Sequence, residues 1–278
     1  MTRTLVTGSA GFIASHLAPL LDGDTLGLDI AEGKDVLLAA DDIQAFDPEI
    51  VYHLAARHFV PWCREHPEET IRTNVDGTAA VLEACGPSLR TFVFASSAAV
   101  YGFADTKRKE TYPVRPVDVY GRSKAFAERD VMHAAAERPD VRFVLARLFN
   151  VIGAGDNTAH VLPEIVAGAL TAKALALGNI DTRRDYIHAD DAAEALVFLA
   201  EHARHGYSVW NIGTGLPTSV HELIVEVGKV LGVTPAFMVD GSKVRLEDGD
   251  LFADPDKLAG FGWKATRSIG DAIEDMLK

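Results

Sequence analysis

Only two cysteines, Cys63 and Cys85, occur in the chain, and neither belongs to a Cys-x-x-Cys or similar pair. That spacing leaves no cysteine-based metal site and no disulfide framework. The compartment expected is reduced and cytoplasmic. Apolar runs long enough to span a bilayer are missing as well. The first residues enter an apolar strand directly, without the basic-then-apolar order of a secretory leader. Lysine and arginine form no extended run, and the net charge is −13. A nucleic-acid binder would show the opposite balance. Internal repeats and low-complexity segments are also lacking. These absences predict a soluble protein with no membrane, nucleic-acid or metal partner.

What is present is a core. Hydrophobic residues make up 48% of 278 positions, enough for one large α/β domain with a smaller lobe. Thr4-Leu5-Val6 is a short β-rich run, followed by Thr7-Gly8-Ser9-Ala10-Gly11-Phe12-Ile13-Ala14 and a helical pattern through Leu17, Leu20 and Leu21. Strand, glycine turn and helix in this order suit a pyrophosphate. The spacing is G-x-x-G-x-x-A, and a glycine turn after a strand is often only a turn. The next apolar run ends in Asp29, where an acid can bind adenosine ribose hydroxyls and repel a 2′-phosphate. Lys34 is the nearby cation. Ile50–Ala56 reads as a buried strand ending in small residues, which leaves room for a flat ligand. His53 inside it reads as a core histidine.

The stretch Glu68–Ala84 is helical in pattern, and Thr91–Ser97 is a strand ending in two hydroxyls. Ser97 then lies at a carboxyl end, where ligands gather in parallel sheets. A helix over Tyr120–Ala136 and a strand over Val141–Leu148 continue the alternation. Such alternation predicts a parallel sheet covered on both faces. Beyond Val151 the pattern changes into loops, scattered arginines and shorter elements, which predicts a second lobe interleaved with the first.

Tyr120 and Lys124 are four apart, so a helix places them on one face. Bringing a phenol from its usual value near 10 to neutrality requires roughly 4 kcal/mol. One ammonium at ~4 Å, in an effective dielectric of about 20, supplies that much. The pair is therefore a candidate general base. The same spacing also occurs on ordinary surface helices.

Taken in order, several motifs resemble a known family. They are Thr7-Gly8-x-x-Gly11-Phe12-Ile13, His53-Leu54-Ala55-Ala56, Asn74-Val75-x-Gly77-Thr78, Ser97-Ala98-Ala99-Val100-Tyr101-Gly102 and Tyr120-x-x-x-Lys124. Arg147-x-Phe149-Asn150, Arg184-Asp185-Tyr186 and Trp210-Asn211-Ile212-Gly213 follow. The set resembles the extended short-chain dehydrogenase/reductases, in the NAD-dependent sugar-nucleotide epimerase/dehydratase group. The resemblance implies a Rossmann-type doubly wound parallel sheet with a smaller interleaved C-terminal substrate lobe. Its expected bounds are 1–150 for the NAD domain, with 186–212 returning to it, and 151–185 with 213–278 for the lobe. It implies NAD contacts at Gly8, Gly11, Phe12, Ile13, Asp29, Asp35, Val36, Leu54, Ala55, Ala56 and Asn74, joined by Tyr120 and Lys124. It implies Ser97, Tyr120 and Lys124 as the catalytic set. Asn150, Arg184, Arg245 and Asp248, with Ser97, would contact a nucleoside-diphosphate sugar, although the spacing from Asp248 to Asp254 departs from the family pattern.

The residues after Ser97 separate reactions. Related 4,6-dehydratases carry an Asp-Glu pair there, and sugar-acid decarboxylases a Glu, whereas this chain has Ala98-Ala99. The expectation is epimerisation at C4 of a nucleoside-diphosphate sugar through a transient 4-keto intermediate. The short stretch between Asp29 and Ile50 also resembles 4-ketosugar reductases, so an NAD(P)H-dependent reductase stands as the alternative. The apolar stripes Val75, Ala79, Leu82 and Phe126, Val131 predict a homodimer.

Overall fold

A computed structural model describes residues 1–244 and 249–278. Its strands are β1 (Arg3–Thr7), β2 (Asp24–Leu28), β3 (Ile50–His53), β4 (Thr91–Ser97), β5 (Arg142–Leu148), β6 (Asn150–Ile152), β7 (Leu175–Leu177), β8 (Arg183–His188), β9 (Gly206–Ile212), β10 (Pro217–Ser219) and β11 (Phe237–Val239). The chain divides into two units. The first holds Met1–Gly102, Glu110–Leu148 and Ala193–Asn211, and the second holds Phe103–Lys109, Phe149–Ala192 and Ile212–Lys278. The return to the first unit thus begins at Ala193, and the short segment Phe103–Lys109 joins the second.

The first unit contains a six-stranded sheet in the order β2-β1-β3-β4-β5-β9. The pairings among β1 to β5 are parallel. Strands β4 and β5 are buried along almost their whole length. Continuous burial without alternation is what a parallel sheet covered on both faces requires. Phe92, Phe94 and Phe143 are fully buried there. Cutting one such ring back to alanine costs about 3–5 kcal/mol. The chain goes from β1 to β2 on one side, then crosses to β3 on the other. That reversal opens a crevice past the carboxyl ends of β1 and β3.

Two expected elements differ in detail. The strand from Ile50 ends at His53, and Leu54–Phe59 turns away as a loop. The helical stretch after Glu68 is broken by a π-helical turn over Arg72–Asp76. This turn carries Asn74. The second unit holds a three-stranded sheet, β10-β8-β6, and a pair, β11-β7. Its own core gathers Ile152, Leu162, Ile165, Tyr186, Leu223 and Ile273. Among the described residues, no helix is long and apolar enough to cross a membrane.

Candidate functional site

The glycine turn closes the end of β1. Gly8 has φ +71°, and a Cβ there would lie 2.8 Å from the Ala55 nitrogen and 2.9 Å from its Cα. Only glycine satisfies both the conformation and the close approach. Gly8 N donates to Leu28 O at 2.7 Å, and Gly11 N donates to Gly8 O at 3.0 Å. The helix Phe12–Leu17 then begins without a side-chain cap. Asp29 follows β2 at the same edge, and its carboxylate accepts Ala10 N at 3.0 Å and Ala31 N at 2.8 Å. Gly8, Gly11, Phe12, Ile13, Asp29 and the loop Leu54-Ala55-Ala56 thus meet at the carboxyl ends of β1, β2 and β3. The Ser9 hydroxyl is buried there with no hydrogen-bond partner. A bare glycine backbone, an orphaned hydroxyl and a carboxylate are donors and an acceptor suited to a dinucleotide.

Asp35, Val36 and Asn74 each make contacts within the protein. Asp35 caps its own turn by accepting Leu37 N at 3.0 Å. Val36 is 6% exposed and packs in the apolar core. Asn74 accepts Arg57 N at 2.7 Å and donates to Arg57 O and Ser123 Oγ, both at 2.9 Å. Its amide ties the loop after β3 to the helix carrying Tyr120. His53 donates or accepts at both ring nitrogens, to Thr7 Oγ1 at 2.7 Å and Thr78 Oγ1 at 2.9 Å. Burial pushes its pKa down to about 3, so it is a neutral core histidine.

The helix Val119–Glu137 places the second group of residues. Asp118 caps it by accepting Gly121 N at 2.7 Å. A Cβ on Gly121 would come within 2.5 Å of Ala99 O, so the helix seats directly on the turn after β4. Ser97 ends β4 and accepts Ala99 N at 3.2 Å. The Ser97 side chain lies close enough to Tyr120 to lower its pKa. One turn on, Lys124 is 2% exposed. It donates to Ala95 O at 2.7 Å and lies 4.8 Å above the Phe94 ring. The three residues expected to act together are therefore brought to one strand end.

Their electrostatics differ from expectation. Burial pushes Tyr120 up to about 12, against a lowering by the Ser97 side chain. Lys124 is not among the groups that shift it. The ammonium turns to the Ala95 carbonyl and the Phe94 ring, and desolvation draws its own pKa down to about 7. The phenol is therefore protonated near pH 7.

A buried ion pair next to Lys124 has no counterpart in the sequence expectations. Glu128 is 3% exposed and Arg147 is 4% exposed. Arg147 donates to both carboxylate oxygens, from Nε at 2.8 Å and Nη2 at 2.7 Å. Ser96 Oγ donates to Glu128 Oε1 at 2.6 Å. The signal was available: Glu128 follows Lys124 by four, and Arg147 is a charge inside an apolar strand.

Asn150 and Arg184 lie in the second unit. Asn150 opens β6, which pairs with β8 so that Asn150 is opposite Tyr186. Arg184 stacks its guanidinium 5.0 Å from the Phe103 ring and donates to the carbonyls of Arg183 and Gly249. Arg245 and Asp248 lie outside the described residues.

Residues 4–213 match the family model described as "NAD dependent epimerase/dehydratase family". The chain belongs to this family of enzymes. The UDP-glucose 4-epimerase of Erwinia amylovora is 28% identical, over 98% of this chain and 95% of that protein. The GDP-6-deoxy-D-talose 4-dehydrogenase of Aggregatibacter actinomycetemcomitans is also 28% identical, over 99% of this chain and 97% of its own. Among solved structures, the UDP-glucose 4-epimerase of Bifidobacterium longum in complex with NAD+ and UDP superposes with a TM-score of 0.88 at 28% identity. That match covers 99% of this chain and 97% of the other. The parallel sheet described above is the family's Rossmann-type sheet.

Proposed function

We propose that this family member epimerises a nucleoside-diphosphate sugar at C4, through a transient 4-keto sugar, with NAD as its cofactor. One observation carries the reading. Ser97 ends β4 beside Tyr120, with Lys124 one turn along the same helix. In this reading Gly8, Gly11, Phe12 and Ile13 receive the diphosphate of NAD, and Asp29 its adenosine ribose. Leu54, Ala55 and Ala56 leave space for a flat ring. NAD, when bound, supplies the acceptor and donor of the C4 hydride. Tyr120 takes the proton of the 4-hydroxyl and returns it after the sugar has turned. Ser97 holds the reacting oxygen by a hydrogen bond, and Lys124 binds the nicotinamide ribose of NAD. Ala98 and Ala99 carry no group able to expel water, which favours epimerisation over dehydration. Asn150 and Arg184, with Arg245 and Asp248, supply donors and charge for the nucleotide.

A second reading is favoured by the phenol's resting state. A Tyr120 pushed up to about 12 is a proton donor, as a 4-ketosugar reductase needs. The similarity to a sugar-nucleotide 4-dehydrogenase supports the same chemistry. Either enzyme works in a reducing cytoplasm, where the free thiols Cys63 and Cys85 persist. A homodimer through the face bearing the exposed Phe126 completes the proposal. Sedimentation of a species twice 29.9 kDa at micromolar concentration checks it.

The deciding experiment identifies the nucleotide released from purified protein, then supplies UDP-, dTDP- and GDP-hexoses. An epimerase forms the 4-epimer with no net change in nicotinamide absorbance. Steady NAD(P)H consumption with a 4-ketosugar moves the conclusion to the second reading. Inactivity on every nucleotide sugar and ketosugar sinks both.

A further inference from the structure

We propose that Glu128 is a positioning residue that keeps the Lys124 side chain in its ammonium form. The proposal rests on the functional reading above only for the use to which that ammonium is put.

Lys124 and Glu128 are one turn apart on the helix Val119–Glu137, on the same face. Adjacent residues of β4 hold them: Ala95 O accepts Lys124 Nζ at 2.7 Å, and Ser96 Oγ donates to Glu128 Oε1 at 2.6 Å. Arg147, from β5, closes the other side with its two bonds to the carboxylate. The carboxylate is therefore fixed in place and cannot swing to solvent. Burying a carboxylate and a guanidinium in an apolar sheet brings little stability, since desolvation offsets their attraction. Phe94 and Phe143 fill neighbouring positions of the same strands with apolar bulk. A charge pair at this depth needs another reason.

Lys124 supplies it. The groups around its ammonium are Phe94 and Ala95 from β4, His53 from β3, Cys63 from the helix Val60–Glu65, and Glu128 on its own helix. Tyr120 stands one turn before it. His53 is neutral, with its pKa pushed down to about 3. Burial raises the Cys63 thiol and the Tyr120 phenol, so both are neutral near pH 7. Only the carboxylate of Glu128 is left, among these, to oppose the desolvation of Lys124. Burial draws the lysine down to about 7, and Glu128 pushes it back up. At that midpoint a small change in local field decides whether the side chain carries its proton.

The sign of two substitutions separates this role from a structural one. Glu128→Gln removes the anion, so Lys124 should release its proton at lower pH. Arg147→Met leaves the anion uncompensated, so Lys124 should hold its proton to higher pH. A pair that only supports the fold would weaken the protein alike in both variants, with no opposed titration.

The test is a pH titration of the full-length protein carrying ¹³C at lysine Cε, followed by NMR. The Lys124 resonance is identified by its loss in Lys124→Met. Glu128→Gln is expected to lower the midpoint by at least about one pH unit, tenfold in proton affinity. Arg147→Met is expected to raise it. Unchanged midpoints, or shifts of the same sign, overturn the proposal. Should Glu128→Gln fail to fold because Arg147 is stranded, Arg147→Met alone decides, by an upward shift or none. The titration needs no substrate. A wild type inactive on all nucleotide sugars would remove the functional reading and leave this result standing. In an active wild type, the alkaline limb of kcat/KM should move down in Glu128→Gln by the same interval, with KM for the sugar unchanged.

Discussion

His53 and Lys124 sit against the same ring. His53 stacks on Phe94 at 5.9 Å between centroids, and Lys124 Nζ lies 4.8 Å above it. Both are nearly inaccessible, and burial pushes both toward neutrality. Their partners differ. His53 is held by two neutral hydroxyls, Thr7 and Thr78, and falls to about 3. No pH in the working range charges it, so it is a lock between β1, β3 and the helix Gly77–Ala84. Lys124 has one carbonyl and a carboxylate a turn away, and stays near 7. Depth alone does not separate a structural ionisable group from a poised one. Both fall by the same interval, from 6.5 to about 3 and from 10.5 to about 7, so the ordinary basicity of the side chain separates them.

The sharpest way to test that contrast is to remove the hydroxyl that Lys124 would serve. Tyr120→Phe keeps the ring and its packing. Under the proposed function, kcat should fall by about 10²–10⁴-fold, the usual worth of a general acid/base. An unchanged thermal transition with that loss places the effect in chemistry. Retention of full activity would falsify the role of the phenol.

The cradle gives the next largest effect. Gly8→Val forces a branched side chain into φ +71°, with its Cβ 2.8 Å from the Ala55 backbone. Strain of roughly 1–2 kcal/mol from the left-handed conformation comes before any backbone shift. The purified variant should release no nicotinamide nucleotide, while His53→Leu should release as much as wild type. Equal nucleotide in Gly8→Val and wild type would remove the cradle from the account.

His53→Leu should act on stability alone. It deletes two buried hydrogen bonds, and two threonine hydroxyls lose a partner. The expected loss is about 1–3 kcal/mol, read from the urea midpoint. The kcat of the folded protein should stay at the wild-type value. A matching fall in kcat would mean that the histidine is not merely a lock.

Much of this contrast was legible in the sequence, and its limits have physical causes. Gly8, Gly11, Asp29 and the Tyr120–Lys124 spacing depend on local backbone geometry, which a few neighbouring residues determine. The core role of His53 followed from its apolar flanks. The state of Tyr120 was misjudged because a spacing of four gives a shared face, not the direction of the ammonium. In the fold that ammonium turns toward Ala95 O, a contact between residues 29 apart. Asn74, expected at the cofactor, also bonds Arg57 and Ser123 through its amide, contacts across 17 and 49 residues that local pattern does not show. Glu128 and Arg147 meet across 19 residues, so the spacing of each could flag a buried charge but not its partner. Val36, expected at the cofactor, packs in the core of the fold.

The most discriminating effect comes from pH, because the two buried bases contribute to stability in separate pH windows. The folded-state value of His53 is about 3, below its ordinary 6.5. Between these values the unfolded chain binds a proton that the folded chain does not, so stability falls as pH drops through this window. Lys124 has a folded value near 7 against an ordinary 10.5. The unfolded chain again binds the extra proton, here between about 7 and 10.5, so stability falls as pH drops from the upper value to the lower. Each slope is at most about 1.4 kcal/mol per pH unit. Subtracting the urea-derived stability of His53→Leu from wild type should leave a slope confined to the acid window. Subtracting that of Lys124→Met should leave one confined to the alkaline window. If the Lys124→Met difference varies below pH 6 or is flat above 8, the lysine is not the half-protonated group that the Glu128 carboxylate is needed to hold.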